Sequence, residues 1–466
     1  MDTDQDQDQD QDHLDFIGVS LEGTNIPAID EILDAVFENQ PPFIGIDEVE
    51  HHYFAPFFKR NICPLNNLII SRQTVVEQEA VSSGFCDLQG ICWREGEQGK
   101  KAYRRYRDSV TSSVHMHYSG PVIIEENREA LDYKDNDFYR FRYTDTSIHC
   151  SHRHPQLRNL VSATSKNDIY YLNHNSIMHW SPQLRTARTI LGDPLKKPFT
   201  RVPSQITTLA ALDNMIMLGG MDGNFTFMNL QTCMNPIRSS ITDVEVNAIE
   251  MSLSRTGDPH AYFSTNDREI RCMDLRTLEQ KATFPTGWFV NYTSQSPDGH
   301  MIALVGDDLD GEVMSVNSRE KIATLTGHQR YSFSVAWSPD STHLATGSDD
   351  RSTCIYDTRM MNKPIHILGA DIRESVRSLR YSSCGRYLVM AEESNYVHIV
   401  DTASDYTKAQ KIDFVGDISG ISLTPDAESL FIGVSYVDFS SILEFEVVHQ
   451  RGELMNMDDP WASMYC

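Results

Sequence analysis

A short turn recurs along this chain at a nearly constant interval, and that interval restricts the possible folds more than any other feature. Ser338-Pro339-Asp340 separates two apolar runs. Its proline sets φ where a type I turn requires it. The turn returns as Ser296-Pro297-Asp298 and Thr424-Pro425-Asp426, with Ser382-Ser383-Cys384 between and weaker copies at Ser254-Arg255-Thr256 and Leu212-Asp213-Asn214. Measured on the Pro339 position, neighbouring copies lie 42 to 44 residues apart. Pro155 stands five residues before Leu160, as Pro339 stands before Leu344, and makes a seventh copy. The gap from Pro155 to Leu212 is 57 residues, which predicts an insertion at "SKNDIYYLNHNS" or "ILGDPLKKPFTRVP".

The clearest unit is "GHQRYSFSVAWSPDSTHLATGSDDRSTCIYDTR", residues 327–359. It reads as an apolar strand, the turn, a second strand, a tight turn at Asp349-Asp350 and a third strand. A repeat of about 40–45 residues with four strands per unit is the pattern of a β-propeller. The expected fold is therefore all-β, a seven-bladed propeller over residues 138–448. An open ring leaves unpaired strand edges. "FYRFRYT" at 138–144 alternates aromatics with Arg140 and Arg142 in a period of two. It is expected to close the ring as the fourth strand of the last blade.

The sequence resembles the WD-repeat family, on Gly327-His328, "SVAWSPDSTHLATGSDD" and Tyr356-Asp357. More narrowly it is similar to fungal and plant WD-repeat proteins without an assigned biochemical role. The Trp-Asp pair decays elsewhere to Met273-Asp274, Val316-Asn317 and Val400-Asp401. The resemblance implies a buried hydrogen-bonded chain of His328, Thr346 or Ser348, and Asp350, with Tyr356 in the tryptophan position. It also implies a binding role without catalysis. Asp357-Thr358-Arg359 and Asp274-Leu275-Arg276 resemble the box by which WD-repeat substrate receptors of cullin ubiquitin ligases meet their adaptor, with Arg276 and Arg359 as the contacts.

Outside the ring, residues 1–25 form an Asp/Gln-rich arm, expected to be disordered. Residues 1–60 carry 15 acids against Lys59 and Arg60, a net −13 of the chain's −26. So acidic a protein is a poor general binder of nucleic acid, whose phosphates need clustered Lys and Arg. Within the extension at 26–137, "NIPAIDEILDAVFENQ" has the apolar spacing of a short amphipathic helix, for a partner groove or for its own propeller. "KKAYRRYR" at 100–107 is the one basic cluster, read either as a nuclear-import or phosphate-contacting patch or as a solvated loop. The tail at 449–466 is expected to be flexible. No run of 18 apolar residues and no basic-then-apolar leader is present. The nine cysteines read as reduced thiols of cytoplasm or nucleus.

Candidate chemistry is sparse. His149-Cys150-Ser151-His152-Arg153-His154 is rich in ligand atoms, but no second pair at zinc spacing answers it, and it falls where the innermost strand of the first blade is expected. "DDLDG" at 307–311 lacks the spacing and final Glu of a calcium loop. No nucleophile elbow, phosphate loop or zinc-protease motif occurs. No catalytic site, metal or cofactor is expected. What remains is a rim where the loops entering each inner strand converge: Trp288, Phe289, Arg330, Tyr331, Glu374 and Asp417. Aromatics with an Arg are a hot-spot composition. The expected partners are other proteins, with no nucleic acid and no membrane, and the chain is expected to be a monomeric propeller within a complex. Three roles follow: interaction scaffold, cullin-ligase substrate receptor, or chromatin and transcription cofactor.

Overall fold

A computed structural model describes residues 69–105, 128–152, 154, 156–192, 205–232, 235–436 and 439–449. The acidic arm, the segment 26–40 and the tail beyond 449 lie outside the described residues. The structure is a seven-bladed all-β ring of four-stranded antiparallel blades. Blade 1 runs Val161–Ser165, Asp168–Asn173, Ser176–Ser181, Thr186–Leu191 from the axis outward. Blade 5 runs Ser332–Trp337, His343–Ser348, Thr353–Asp357, His366–Leu368.

Blades 6 and 7 share one long strand, Ala409–Leu423. Its first half pairs with Ser394–Asp401 as the outer edge of blade 6. Its second half pairs with Ser429–Ser435 as the inner strand of blade 7. Tyr139–Asp145 pairs antiparallel with Ser441–Val447 and is the fourth strand of blade 7. Val75–Glu77 then adds a fifth. The ring is thus tied by strands from both ends of the described chain, which covers the edge that would otherwise be open.

The recurring turn has a local cause. In blade 5 the Ser338 hydroxyl donates to Asp340, 2.5 Å, and accepts the His343 amide, 2.8 Å. Ser296 with Asp298 and Met301 repeats this, as does Thr424 with Asp426 and Ser429. The residue after the Asp takes positive φ, as Gly299, Ser341 and Ala427 show at 71°, 58° and 57°. Blades stack through side chains such as Trp337, Leu344 and Tyr356 of blade 5 against Tyr292 and Val305 of blade 4. Close stacking requires Gly347: a Cβ there would lie 2.7 Å from Val376 Cγ1 of the next blade.

Blade 1 differs from the sequence expectation. Its innermost strand is Val161–Ser165, not the His149–His154 run, and its first turn is Lys166-Asn167. "SKNDIYYLNHNS" is not an insertion. It holds the ordinary second strand, and the long gap measured from Pro155 came from matching that proline to a turn one strand too early. Residues 193–203 of the second candidate insertion lie outside the described residues.

The described parts of the extension, residues 69–105 and 128–137, pack on the ring. Ile69–Arg72 and Ile91–Trp93 form a two-stranded sheet beside it. The buried Gln89 amide imitates a peptide: Nε2 donates to Val415 O, 2.7 Å, and Oε1 accepts the Val415 amide, 2.6 Å. Residues 97–105 are helical. The fully buried Tyr103 seats that helix between Trp93 and Phe439, with ring centroids 5.4 and 6.2 Å away. "KKAYRRYR" is therefore helix over 100–105, packed on the propeller, and not a solvated loop; residues 106–107 lie outside the described residues. Residues 128–137 bridge Leu368 of blade 5 through Glu129 and Lys408 of blade 6 through Asp132.

Candidate functional site

Antiparallel order sends the loop entering each inner strand and the turn between the second and third strands to one end of the ring. The Ser-Pro-Asp turns and the Asp-x-Arg ends point to the other. The first end carries the candidate rim. Trp288 is half-buried, lying over Gly306, where a Cβ would meet its Cζ3 at 2.7 Å. Phe289 and Tyr331 are exposed, by 38% and 50%. The Arg268 guanidinium lies 5.3 Å from the Phe289 ring centroid. Leu309, in the "DDLDG" turn of blade 4, is 50% exposed at the same end. The "DDLDG" run is a blade turn, and nothing in its composition marks Leu309 as exposed.

The charged rim residues are tied down. Arg330 donates to Asp349, 3.1 Å. Asp349 also accepts Ser375 Oγ at 2.6 Å and Arg377 Nη2 at 3.4 Å. Arg377 reaches Glu393 at 2.9 Å and lies 3.9 Å over Phe333, and Arg158 approaches Glu393 at 3.8 Å. The Arg158 and Arg377 side chains are only 3% and 4% exposed. Burial pulls Arg158 below the usual arginine range, against the opposing influence of Glu393, Asp417 and Glu374. Glu374 accepts the Ser394 hydroxyl, 2.6 Å. Asp417 pairs through its backbone with Ser394 and Ser435. The sequence offered no sign of this network, because its members come from three blades.

Deeper in the axial channel, Glu250 accepts Ser294 Oγ and the Gln295 amide, each at 3.0 Å. Burial pushes its carboxyl up to about 7 against those hydrogen bonds and Arg380. Among the described residues no group of three metal-binding side chains converges. His149, Cys150, His152 and His154 lie in irregular chain before blade 1.

The buried chain of blade 5 has this geometry. His328 Nδ1 is 3.0 Å from Asp350 Oδ2, and Nε2 is 2.8 Å from Thr346 Oγ1. Ser352, which sequence reading left out, donates to Asp350 at 2.5 Å. Ser348 turns away and donates to Arg330 O and Tyr331 O. The Tyr356 hydroxyl donates to Thr326 O, 2.9 Å. Burial disfavours the imidazolium, but Cys354 and Asp350 outweigh it and raise His328 to about 10. Burial likewise raises Asp350, but His328 and the hydroxyl and amide donors lower it to about 2. At the far end Arg276 pairs with Asp258, and Arg359 folds onto Asp357 with its side chain 87% exposed.

The family model "WD domain, G-beta repeat" matches residues 319–357. That window spans the outer strand Lys321–Leu325 of blade 4 and the three inner strands of blade 5. The chain thus carries one recognisable WD repeat and is similar to WD-repeat proteins. Such a repeat is offset by one strand from a blade, so each copy staples two blades together. An uncharacterized protein of Schizosaccharomyces pombe is 24% identical over 321 residues, covering 64% of this chain and 87% of that protein. WD repeat-containing protein 1 of Bos taurus is 34% identical over 77 residues, 16% of this chain and 13% of its own. Apoptotic protease-activating factor 1 of Rattus norvegicus is 28% identical over 123 residues, 26% of this chain and 10% of its own. The chain thus spans about a tenth of the length of the last two. WD repeats are protein-interaction scaffolds, and their propellers are generally non-catalytic. No helix among the described residues is long and apolar enough to cross a membrane.

Proposed function

We propose that this WD-repeat propeller binds a protein partner at the end that carries the rim, with no reaction of its own, in the cytoplasm or nucleus. The observation that supports this is the line of exposed Phe289, Leu309 and Tyr331 on blades 4 and 5. Large apolar side chains beside a stacked arginine are the anchors that interfaces use. Trp288 and Arg330 adjoin these residues and are held by their own neighbours, while Glu374 and Asp417 belong to blades 6 and 7 of the same end. The test is Phe289→Ala with Tyr331→Ala, followed by affinity capture and mass spectrometry against wild type. A partner lost at unchanged melting temperature supports the reading; an identical set of captured proteins overturns it.

A second reading rests on the exposed Arg359 at the opposite end, where a cullin-ligase adaptor would bind. Arg276, already engaged by Asp258, would be the weaker contact. Arg359→Ala should then lose a cullin adaptor from the captured set. An adaptor absent from both samples removes this reading. The chromatin-cofactor role rests on the acidic arm, which lies outside the described residues, and on the basic cluster alone.

A further inference from the structure

The helix at 97–105 leaves a basic cavity on the rim end of the ring, beside blade 6. Its volume is about 340 Å³, and Lys101, Arg104, Arg105, Arg373 and Tyr396 line it. Tyr396 forms one wall. Arg104, Arg373 and Lys411 lie 5.0, 5.6 and 5.4 Å from its ring centroid. One acid answers this cluster: Asp413 takes the Arg104 guanidinium through both oxygens and Lys100 Nζ at 3.1 Å. Lys101, Arg105 and Arg373 have no acidic partner among the described residues, and all three are exposed. Three uncompensated cations held around one cavity are mutually repulsive, and an anion there relieves this.

We propose that this cavity binds a phosphorylated serine or threonine side chain of a partner protein. A phosphate carries close to two charges and three acceptor oxygens, which two guanidinium forks and an ammonium match better than they match a carboxylate. Nucleic acid fits poorly, since the cations surround one cavity instead of following a stripe and the chain carries −26 overall. A lipid surface fits poorly too. Surface helices insert apolar side chains beside their basic ones, and none of the exposed large hydrophobic residues lines this cavity. The helix is prepared for the task by Tyr103 and by the Asp413 pairs, which hold its backbone while Lys101 and Arg105 face outward. The site shares an end with the aromatic line but shares no residue with it.

The test is fluorescence anisotropy on the purified full chain, with a labelled degenerate peptide library centred on phosphoserine and its unphosphorylated counterpart. The phosphorylated library should bind at least about tenfold more tightly and weaken steeply with added salt. Arg105→Ala with Arg373→Ala should abolish that preference at unchanged melting temperature, and Lys101→Glu should do so independently. Equal binding of the two libraries overturns the proposal, as does a preference that survives both variants. Binding to phosphoinositide-containing vesicles without phosphopeptide binding also overturns it, in favour of lipid. Phe289→Ala with Tyr331→Ala should leave the anisotropy unchanged, so failure of the rim and failure of this site are read separately.

Discussion

Blades 5 and 6 bury the same chemistry by different routes. In blade 5, Asp350 of the turn accepts the Gln329 amide of the entering loop at 2.8 Å, and His328 of that loop faces the carboxylate. In blade 6, Glu392 at the end of the second strand accepts the Arg373 and Glu374 amides at 3.2 and 2.7 Å. Its imidazole comes from His398 on the third strand, 2.7 Å away. Thr346 supplies the hydroxyl to His328, whereas the Tyr133 hydroxyl contacts His398 Nδ1 at 2.8 Å from the extension. In both blades a buried carboxylate ties the entering loop to the blade and contacts an imidazole. The position of each group is free. Blade 6 obtains part of its set from a segment 265 residues away in sequence, so residues 128–137 belong to the folded core.

The comparison breaks if the two carboxylates differ in weight. Asp350→Ala and Glu392→Ala should each destabilise by about 3–5 kcal/mol, because each leaves loop amides and a buried imidazole unanswered. Urea denaturation checks this; a Glu392→Ala cost below half that of Asp350→Ala would make blade 6 a looser imitation.

The pH profile is the next sharpest probe. His328 is raised in the folded chain, so its contribution is complete below its unfolded value of about 6.5 and declines as pH rises toward about 10. Asp350 is lowered, so its contribution is complete above about 3.8 and declines as pH falls toward about 2. Stability against urea should therefore be greatest between these limits, and Asp350→Asn should flatten both slopes.

Smaller effects test the hydroxyls. Tyr133→Phe and Thr346→Val should each cost about 0.5–1.5 kcal/mol. No loss in Tyr133→Phe would show that the extension only covers blade 6. The smallest expected change lies in the turns. Blade 5 places Ser341 at φ 58°, where blade 6 has Gly385 at 73°. Ser341→Gly should stabilise by up to about 1 kcal/mol, and Gly385→Ser should lose a similar amount. Thermal unfolding measures both.

Much of blade 5 was readable through its resemblance to the WD-repeat pattern, which sets its groups within a single repeat. His328, Thr346 and Asp350 fall within one repeat, and the Ser338 turn is a local hydrogen-bond pattern. Glu392, His398 and Tyr133 carried no such sign, since strand spacing does not reveal which distant segment covers an edge. The Arg330–Asp349–Arg377–Glu393–Arg158 network was hidden for the same reason. At the rim, sequence position marked Trp288 and Arg330 equally with Phe289 and Tyr331. Burial over Gly306 and the Asp349 pair separated them.

By itself the sequence determined the repeat, its turns and the all-β ring. These depend on strand periodicity and on contacts a few residues apart. Tertiary structure alone decided the start of blade 1, the outward face of the helix at 97–105, and which rim residues are free to meet a partner. Those depend on what packs against what across hundreds of residues, and no local pattern encodes it.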